Sequence, residues 1–144
     1  RVNFKELLRL AVGGRELVRA LAYVVKSDTD EEKAFFDALE KSGLELKSKD
    51  LQIFPGGMKK ADWDVGLAVD AIGLSKHLDV VVIVSGDGDF NPLVEYLKYS
   101  GLIVEVVGFK RSTSASIVEV ANNFIDLDAH KQKLLFFKKN NGNH

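Results

Sequence analysis

The 144 residues contain no cysteine, which excludes disulfides, thiol nucleophiles and cysteine-based zinc sites together. Methionine occurs once, at Met58, and the chain opens on Arg1, so residues preceding Arg1 are expected in the gene product. No secretory-signal pattern marks the start. Nor does any apolar run approach the ~20 residues of a membrane-spanning helix. The longest, Val80 to Val84 continuing from Leu78, suits a buried strand. Charge of either sign is not in excess: 20 Lys and Arg face 21 Asp and Glu, a net −1 that argues against a broad polyanion-binding field and leaves room for a local basic patch. These absences fit a cytoplasmic protein with no membrane partner. What is present, 46% hydrophobic and 28% charged residues, matches globular averages and excludes disordered and fibrous classes. The length fits one domain with a real core.

Helix and strand signals alternate along the chain. Phe4, Leu7, Leu8, Ala11 and Val12 stand at helical spacing behind Asn3 as N-cap and before Gly13-Gly14. Leu17 to Val25 is β-branched and aromatic, a strand. A helix capped by Ser27 or Asp28 runs to about Ser42, and Leu44 to Phe54 is extended up to Pro55-Gly56-Gly57. The next helix, about Ala61 to Leu78, carries a stripe of Val65, Ala68, Val69 and Ile72, with Leu67, Ala71 and Leu74 on its other sides. It is expected to pack between other elements. Asp79 to Ser85 is apolar on both faces, and the centre of a parallel sheet is its expected place. A helix then begins with Asn91 as N-cap and Pro92 at the first helical position and ends near Gly101. Strand 102–109, helix 113–122 and a short strand Phe124 to Leu127 complete the pattern. The fold class is α/β, with helices on both faces of a mainly parallel sheet. Such folds usually open on a central strand, and here the first element is a helix, so a strand upstream of Arg1 is expected. From Asp128 the tail carries Lys131, Lys133, Lys138 and Lys139 around Leu134 to Phe137, a basic helix before a disordered end.

Ligands of open α/β sheets bind beyond the carboxyl ends of the strands. The densest polar group at such an end is Ser85-Gly86-Asp87-Gly88-Asp89. Two carboxylates aimed into one small volume repel, and they need a shared proton or a cation; an all-oxygen cluster suits Mg²⁺ or Mn²⁺. The simpler alternative is that Asp89 caps the next helix while Asp87 holds the turn. Asp62 reads as a helix N-cap, and Asp64 stands in the first turn, where the helix dipole already favours a carboxylate. Asp70 sits mid-helix and must find polar partners, with Gly66 and Gly73 beside it as places of close backbone approach. His77, His130 and His144 have no neighbouring ligands at metal spacing. Ser112, Thr113, Ser114 and Ser116 lack a nearby His or Asp that would mark a nucleophile. The glycine turn is too short for a Walker loop.

Lys59 to Leu127 resembles the NYN domain, in its LabA-like branch within the PIN-like nuclease superfamily. The resemblance is carried by "KKADWDVGLAVDAI" (59–72), "VVIVSGDGDFNPLVEYLKYSGLIVEVVGF" (81–109) and "TSASIVEVANNFIDL" (113–127), and weaker similarity reaches back to "RVNFKELL" and "LVRALAYVV". It implies a PIN-like three-layer sandwich over residues 1–127, followed by a basic helix and tail at 128–144. It also implies metal-dependent RNA cleavage, with Asp64, Asp87 and Asp89 as the catalytic and metal-holding carboxylates. Asp70, Ser85 and Asn122 match supporting positions; at Asn122 many relatives have Asp. Family members begin with a strand ending in an Asp-Gly-x-Asn motif whose Asp is a main metal ligand, and that motif would precede Arg1.

The chemistry of the residues agrees with that implication. Phosphodiester hydrolysis needs charge neutralisation and an activated water, which carboxylate-held divalent ions supply without His, Cys or Ser. Lys59, Lys60, Lys110 and Arg111 stand near the expected rim, where they can hold a nucleic-acid backbone or serve only as solvated surface. The partner expected is RNA, single-stranded, and homo-oligomers are left open. A haloacid-dehalogenase-type phosphatase would need an Asp-x-Asp nucleophile after an early strand. Asp28-Thr29-Asp30 lacks the usual following Thr or Val and reads as a helix start. A non-catalytic RNA-binding or regulatory module is the alternative function.

Overall fold

The computed structural model describes residues 2–53, 55, 59–60 and 62–135. Phe136 to His144, including Lys138, Lys139 and the end of the tail, lie outside the described residues, as do the side chains of Lys59 and Lys60.

Helix α1 (Phe4–Val12) starts where Asn3 accepts the Glu6 N–H at 3.2 Å and stops at Gly13, which turns left-handed at φ 61°. Strand β1 (Leu21–Lys26) begins later than expected, because residues 17–19 run outside the ladder and leave Leu17 and Val18 exposed. Helix α2 (Asp30–Lys41) is capped by Thr29, whose side chain accepts from Glu32, in place of the Ser27 or Asp28 expected. Strand β2 (Glu45–Asp50) pairs parallel to β1, and β3 (Gln52–Ile53) pairs antiparallel with β4 (Lys59–Lys60).

Helix α3 (Asp64–Leu74) is shorter than the helix expected from about Ala61 to Leu78, and its end tightens into a 3₁₀ turn over Ser75–His77. Strand β5 (Val80–Val84), helix α4 (Asn91–Tyr99), strand β6 (Ile103–Gly108), helix α5 (Ala115–Val120), strand β7 (Asn123–Asp126) and the short helix α6 (Lys131–Leu134) follow. In α4, Asn91 is the first helical residue and Phe90 occupies the N-cap without a side-chain bond.

Strands β5, β6 and β7 form a parallel sheet in that order, with Val84 opposite Val107 and Val107 opposite Ile125. Side chains alternate across it with period two. Val81, Ile83, Val104, Val106 and Phe124 face α3, α4 and α5 through Leu67, Leu93, Val94, Leu97 and Ile117. Val82, Val107 and Ile125 face the other way, onto Leu7, Leu10 and Ala11 of α1 and onto Leu127 and Leu134. Helices thus cover both faces of a parallel sheet, an α/β architecture of PIN-like type.

Two expectations are corrected. Among the described residues β5 is an edge strand, paired only to β6, and β6 is the buried centre. An apolar run on both faces reports that both faces are covered; it carries no information about how many edges are hydrogen-bonded. Helix α3 is not enclosed either: Val65 and Val69 are exposed, and the inward stripe is Leu67, Ala68 and Ala71. Small residues let the helix sit close to the sheet, and the β-branched ones point outward.

Helix α3 also reaches the other ladder. Asp70 accepts from Tyr23 Oη of β1 at 2.8 Å and from Lys47 Nζ of β2 at 2.7 Å. Trp63 Nε1 donates to the Val24 carbonyl at 2.8 Å. The β1–β2 ladder and the β5–β6–β7 sheet share no strand pairing, and α3 spans them.

Candidate metal centre

The edge of the sheet at the carboxyl end of β5 is built by a turn that glycine permits. A Cβ on Gly86 would lie 2.7 Å from the Ser112 carbonyl oxygen and 2.8 Å from Thr113 Cα, so the two chains meet backbone to backbone. Ser114 N–H donates to the Gly86 carbonyl at 2.8 Å and fixes that contact. Inside the turn, Ser85 Oγ accepts the Asp87 N–H at 3.2 Å, and Asp87 Oδ1 accepts the Asp89 N–H at 2.8 Å. Asp87 therefore does hold the turn, as the simpler reading had it, and one hydrogen bond leaves its carboxylate with acceptor capacity to spare. Asp89 belongs to the 3₁₀ turn Gly88–Phe90 that leads into α4, and Asn91 Nδ2 bolts that turn to Ser116 Oγ of α5 at 2.7 Å.

Asp64 arrives from the first turn of α3. Asp62 Oδ1 accepts its N–H at 2.6 Å, so Asp62 supports the helix start from one residue outside the N-cap, Trp63, which makes no side-chain cap itself. Asp64, Asp87 and Asp89 each bring a carboxylate oxygen to within 4.8 Å of the others. Asp64 is half-buried and the other two are exposed. Burial, then the charge and hydrogen bonding of Asp62, then Asp87 and Asp89, hold the Asp64 carboxyl above its ordinary range.

Three oxygen donors of this kind suit a hard divalent cation. Ligand oxygens around an octahedral ion at about 2.1 Å lie roughly 3 to 4.2 Å apart, so the cluster is within a small side-chain adjustment of that geometry. Among the described residues no His joins it, and the chain has no Cys, so the donors are all hard oxygens.

The other candidates are not among the three clustered carboxylates. Ser85 lies at the turn beside the cluster. Asp70 serves α3, where hydrogen bonds from Lys47 and then Tyr23 hold its carboxyl below the ordinary range; burial and then the Asp70 bond push the Tyr23 hydroxyl up. Asn122 lies at the opposite end of the sheet: its side chain accepts the Val104 N–H at 2.8 Å and its own N–H donates to the Val104 carbonyl at 2.9 Å, which extends the β6–β7 pairing. Of the expected close approaches beside Asp70, Gly66 meets the Trp63 ring, with Cε3 only 2.7 Å from a Cβ built there, whereas Gly73 faces open space. Lys110 and Arg111 stand exposed on the 3₁₀ turn Lys110–Ser112, next to Gly86.

Sequence reasoning missed one ion pair with a buried carboxylate. Glu105 of β6, 8% exposed, accepts from Arg15 through both carboxylate oxygens, at 2.7 and 3.1 Å, and from Asn123 Nδ2 at 3.1 Å. A charged residue inside the apolar run of β6 was the available signal.

The fold and its strand-end acidic cluster define a PIN-like α/β protein. The family model of the NYN domain matches residues 1–128, and the chain belongs to that family. It is 27% identical over 119 residues to the Low amplitude and bright protein LabA of Synechococcus elongatus (strain ATCC 33912 / PCC 7942 / FACHB-805), a match taking in 78% of this chain. The chain spans 64% of that relative's length. Its fold superposes with a TM-score of 0.84 on the crystal structure of a protein of unknown function, VPA0982, from Vibrio parahaemolyticus RIMD 2210633. That protein is 34% identical, with 94% of this chain and 83% of the other covered.

Proposed function

We propose that this NYN domain is a divalent-metal-dependent ribonuclease that hydrolyses phosphodiester bonds of single-stranded RNA. The observation that carries the reading is the convergence of Asp64, Asp87 and Asp89 from two separate elements onto one point at the carboxyl edge of the sheet. Asp87 and Asp89 would hold Mg²⁺ or Mn²⁺ from the open side and Asp64 from the shielded side. The bound ion supplies charge neutralisation at the scissile phosphate and a water of lowered pKa. Ser85, through the Asp87 N–H, keeps the turn in register so that both carboxylates face the same volume. Lys110 and Arg111 offset the repulsion between an RNA backbone and the acidic cluster. An open groove rimmed by scattered cations tracks one flexible strand more easily than it reads a paired groove.

A reducing cytoplasm is the setting we propose. Among the described residues no helix is long and apolar enough to cross a membrane.

The test uses the natural full-length gene product, wild type against Asp64→Asn and Asp87→Asn, on one labelled single-stranded RNA with Mn²⁺ or Mg²⁺. Cleavage by the wild type that chelator stops, and that each variant loses by at least a hundredfold, is the expected result. Equal cleavage by all three would place the activity elsewhere. RNA binding without metal and without cleavage by any of them would establish the non-catalytic RNA-binding module instead.

A further inference from the structure

An open cleft lies beside the segment that meets the acidic turn. Beyond β6 the chain closes on Phe109: the Ser112 N–H and Thr113 Oγ1 donate to the Phe109 carbonyl at 3.0 and 2.7 Å, and the Lys110 N–H ties the turn to Asp126 of β7 at 3.2 Å. Opposite stands the start of α6. Between them lies a cleft of about 410 Å³ lined by Phe109, Arg111, Ser112, Lys131 and Leu135. Phe109 and Leu135 give it apolar walls, Arg111 and Lys131 supply two cations, and Ser112 is the wall it shares with the acidic site, through the carbonyl that meets Gly86.

The cations are positioned rather than free-swinging. Asp128 Oδ1 accepts from Arg111 Nη2 at 3.2 Å and from Lys131 Nζ at 3.1 Å. Asp128 is largely buried at 19% side-chain exposure, while Arg111 is 75% exposed. Two cations on one carboxylate leave one net positive charge. Guanidinium and ammonium groups carry five and three N–H donors, so most donors stay available to a ligand.

An aromatic and an aliphatic wall suit a flat ring, and directed N–H donors suit a phosphate. We infer that this cleft is a nucleotide subsite for the RNA strand, taking one base against Phe109 and Leu135 and the adjoining phosphate on Arg111 and Lys131. The inference rests on the ribonuclease reading and deepens it, because Ser112 of the cleft wall meets Gly86 of the acidic turn. A base still paired in a duplex cannot enter without leaving its stack, so the cleft selects single strands.

The probe is a fluorescein-labelled oligouridylate of about ten nucleotides, followed by anisotropy in chelator over a range of salt and then by cleavage in Mn²⁺. Arg111→Gln with Lys131→Gln should weaken binding about tenfold and make the slope of log affinity against log salt shallower by about 0.7, the single-strand value for one neutralised phosphate. Under cleavage conditions the same pair should raise KM about tenfold with kcat within twofold. Asp128→Asn, which removes the competing carboxylate, should tighten binding severalfold. Phe109→Leu, which keeps the apolar packing, should weaken it severalfold with no change in slope. Thermal melting confirms that each variant folds. Wild-type binding and KM in the double variant would overturn the subsite while leaving the ribonuclease reading intact. Binding that the double variant loses, in a protein that never cleaves, would support the subsite and overturn hydrolysis. A wild type that neither binds nor cleaves RNA overturns both.

Discussion

Replacing Asp64 with Asn should stabilise the metal-free protein and blunt its response to metal. The three carboxylates lie within 4.8 Å of one another. At that separation, and with two of the three exposed, a pair of unit charges repels by about 0.9 kcal/mol at the dielectric constant of water. Neutralising Asp64 relieves two such pairs and, beyond them, the repulsion from Asp62. Screening at 0.15 M salt roughly halves the gain, whereas low salt preserves most of it. Against this stands the loss of a carboxylate from the first turn of α3, worth about 0.3–1 kcal/mol. The net expectation at low salt is about 1 kcal/mol of added stability, or roughly 3–4 °C in Tm for a chain of this size. Melting curves in chelator, then across a Mn²⁺ titration, read both effects. For the wild type, an ion at a hundred times its Kd adds about 2.7 kcal/mol, and Asp64→Asn should show less than half of that. A variant that melts lower than wild type in chelator, or that keeps the full Mn²⁺ shift, would refute a shared cluster and make Asp64 an ordinary helix-start residue.

Other outcomes follow from the same geometry. Asp87→Asn retains an oxygen to accept the Asp89 N–H and should leave the apo Tm unchanged or higher, whereas Asp87→Ala loses that bond and should cost about 1 kcal/mol in a denaturant titration. Gly86→Ala drives a methyl into the Ser112 carbonyl and Thr113 backbone; a loss of about 1–3 kcal/mol and a disordered acidic turn by NMR are expected. The hydrogen bond from Arg15, with that from Asn123, holds the Glu105 carboxyl below its unfolded range, so its contribution is present above the unfolded pKa of about 4.3 and is lost as pH falls through the lower folded value. Glu105→Gln should cost about 1–2 kcal/mol at pH 7, reduced by the partial exposure of Arg15, and should flatten the acid limb of the stability profile.

The sequence made the helices and their faces legible where local chemistry decides them. Asn3 and Gly13 bound α1 because capping is settled within one turn of chain. The strand-end Asp pair was visible because a Gly-Asp-Gly-Asp turn after an apolar strand has few other uses. Strand order was not visible: Val80–Val84 reads the same whether one edge is paired or two, since its side chains point to the faces. The partners of Asp70 were hidden as well, because Tyr23 and Lys47 lie 47 and 23 residues away and nothing local marks them. Arg15 and Glu105, 90 residues apart, are the extreme case. Helix α3 misled because hydrophobicity alone cannot tell which side of a nearly uniform helix turns inward; the small residues Ala68 and Ala71 decided it.

Helix α3 ties the acidic cluster to the folding of the chain as a whole. Its first turn places Asp64 against a turn that belongs to the three-stranded sheet, while Trp63 and Asp70 are bonded to the two-stranded ladder. An ion shared by Asp64 and Asp87 would be a cross-link between two hydrogen-bonded units that, among the described residues, have no strand pairing with each other, closing a loop from α3 through β5 to the acidic turn. Cross-links of that kind act on the entropy of the open ensemble as well as on the closed state. Amide exchange in β1 and at the start of α3 would then slow with bound ion more than exchange in β6, whose protection comes from the core on both its faces. In such a protein the ion is a clasp in the fold as much as a reagent in the site.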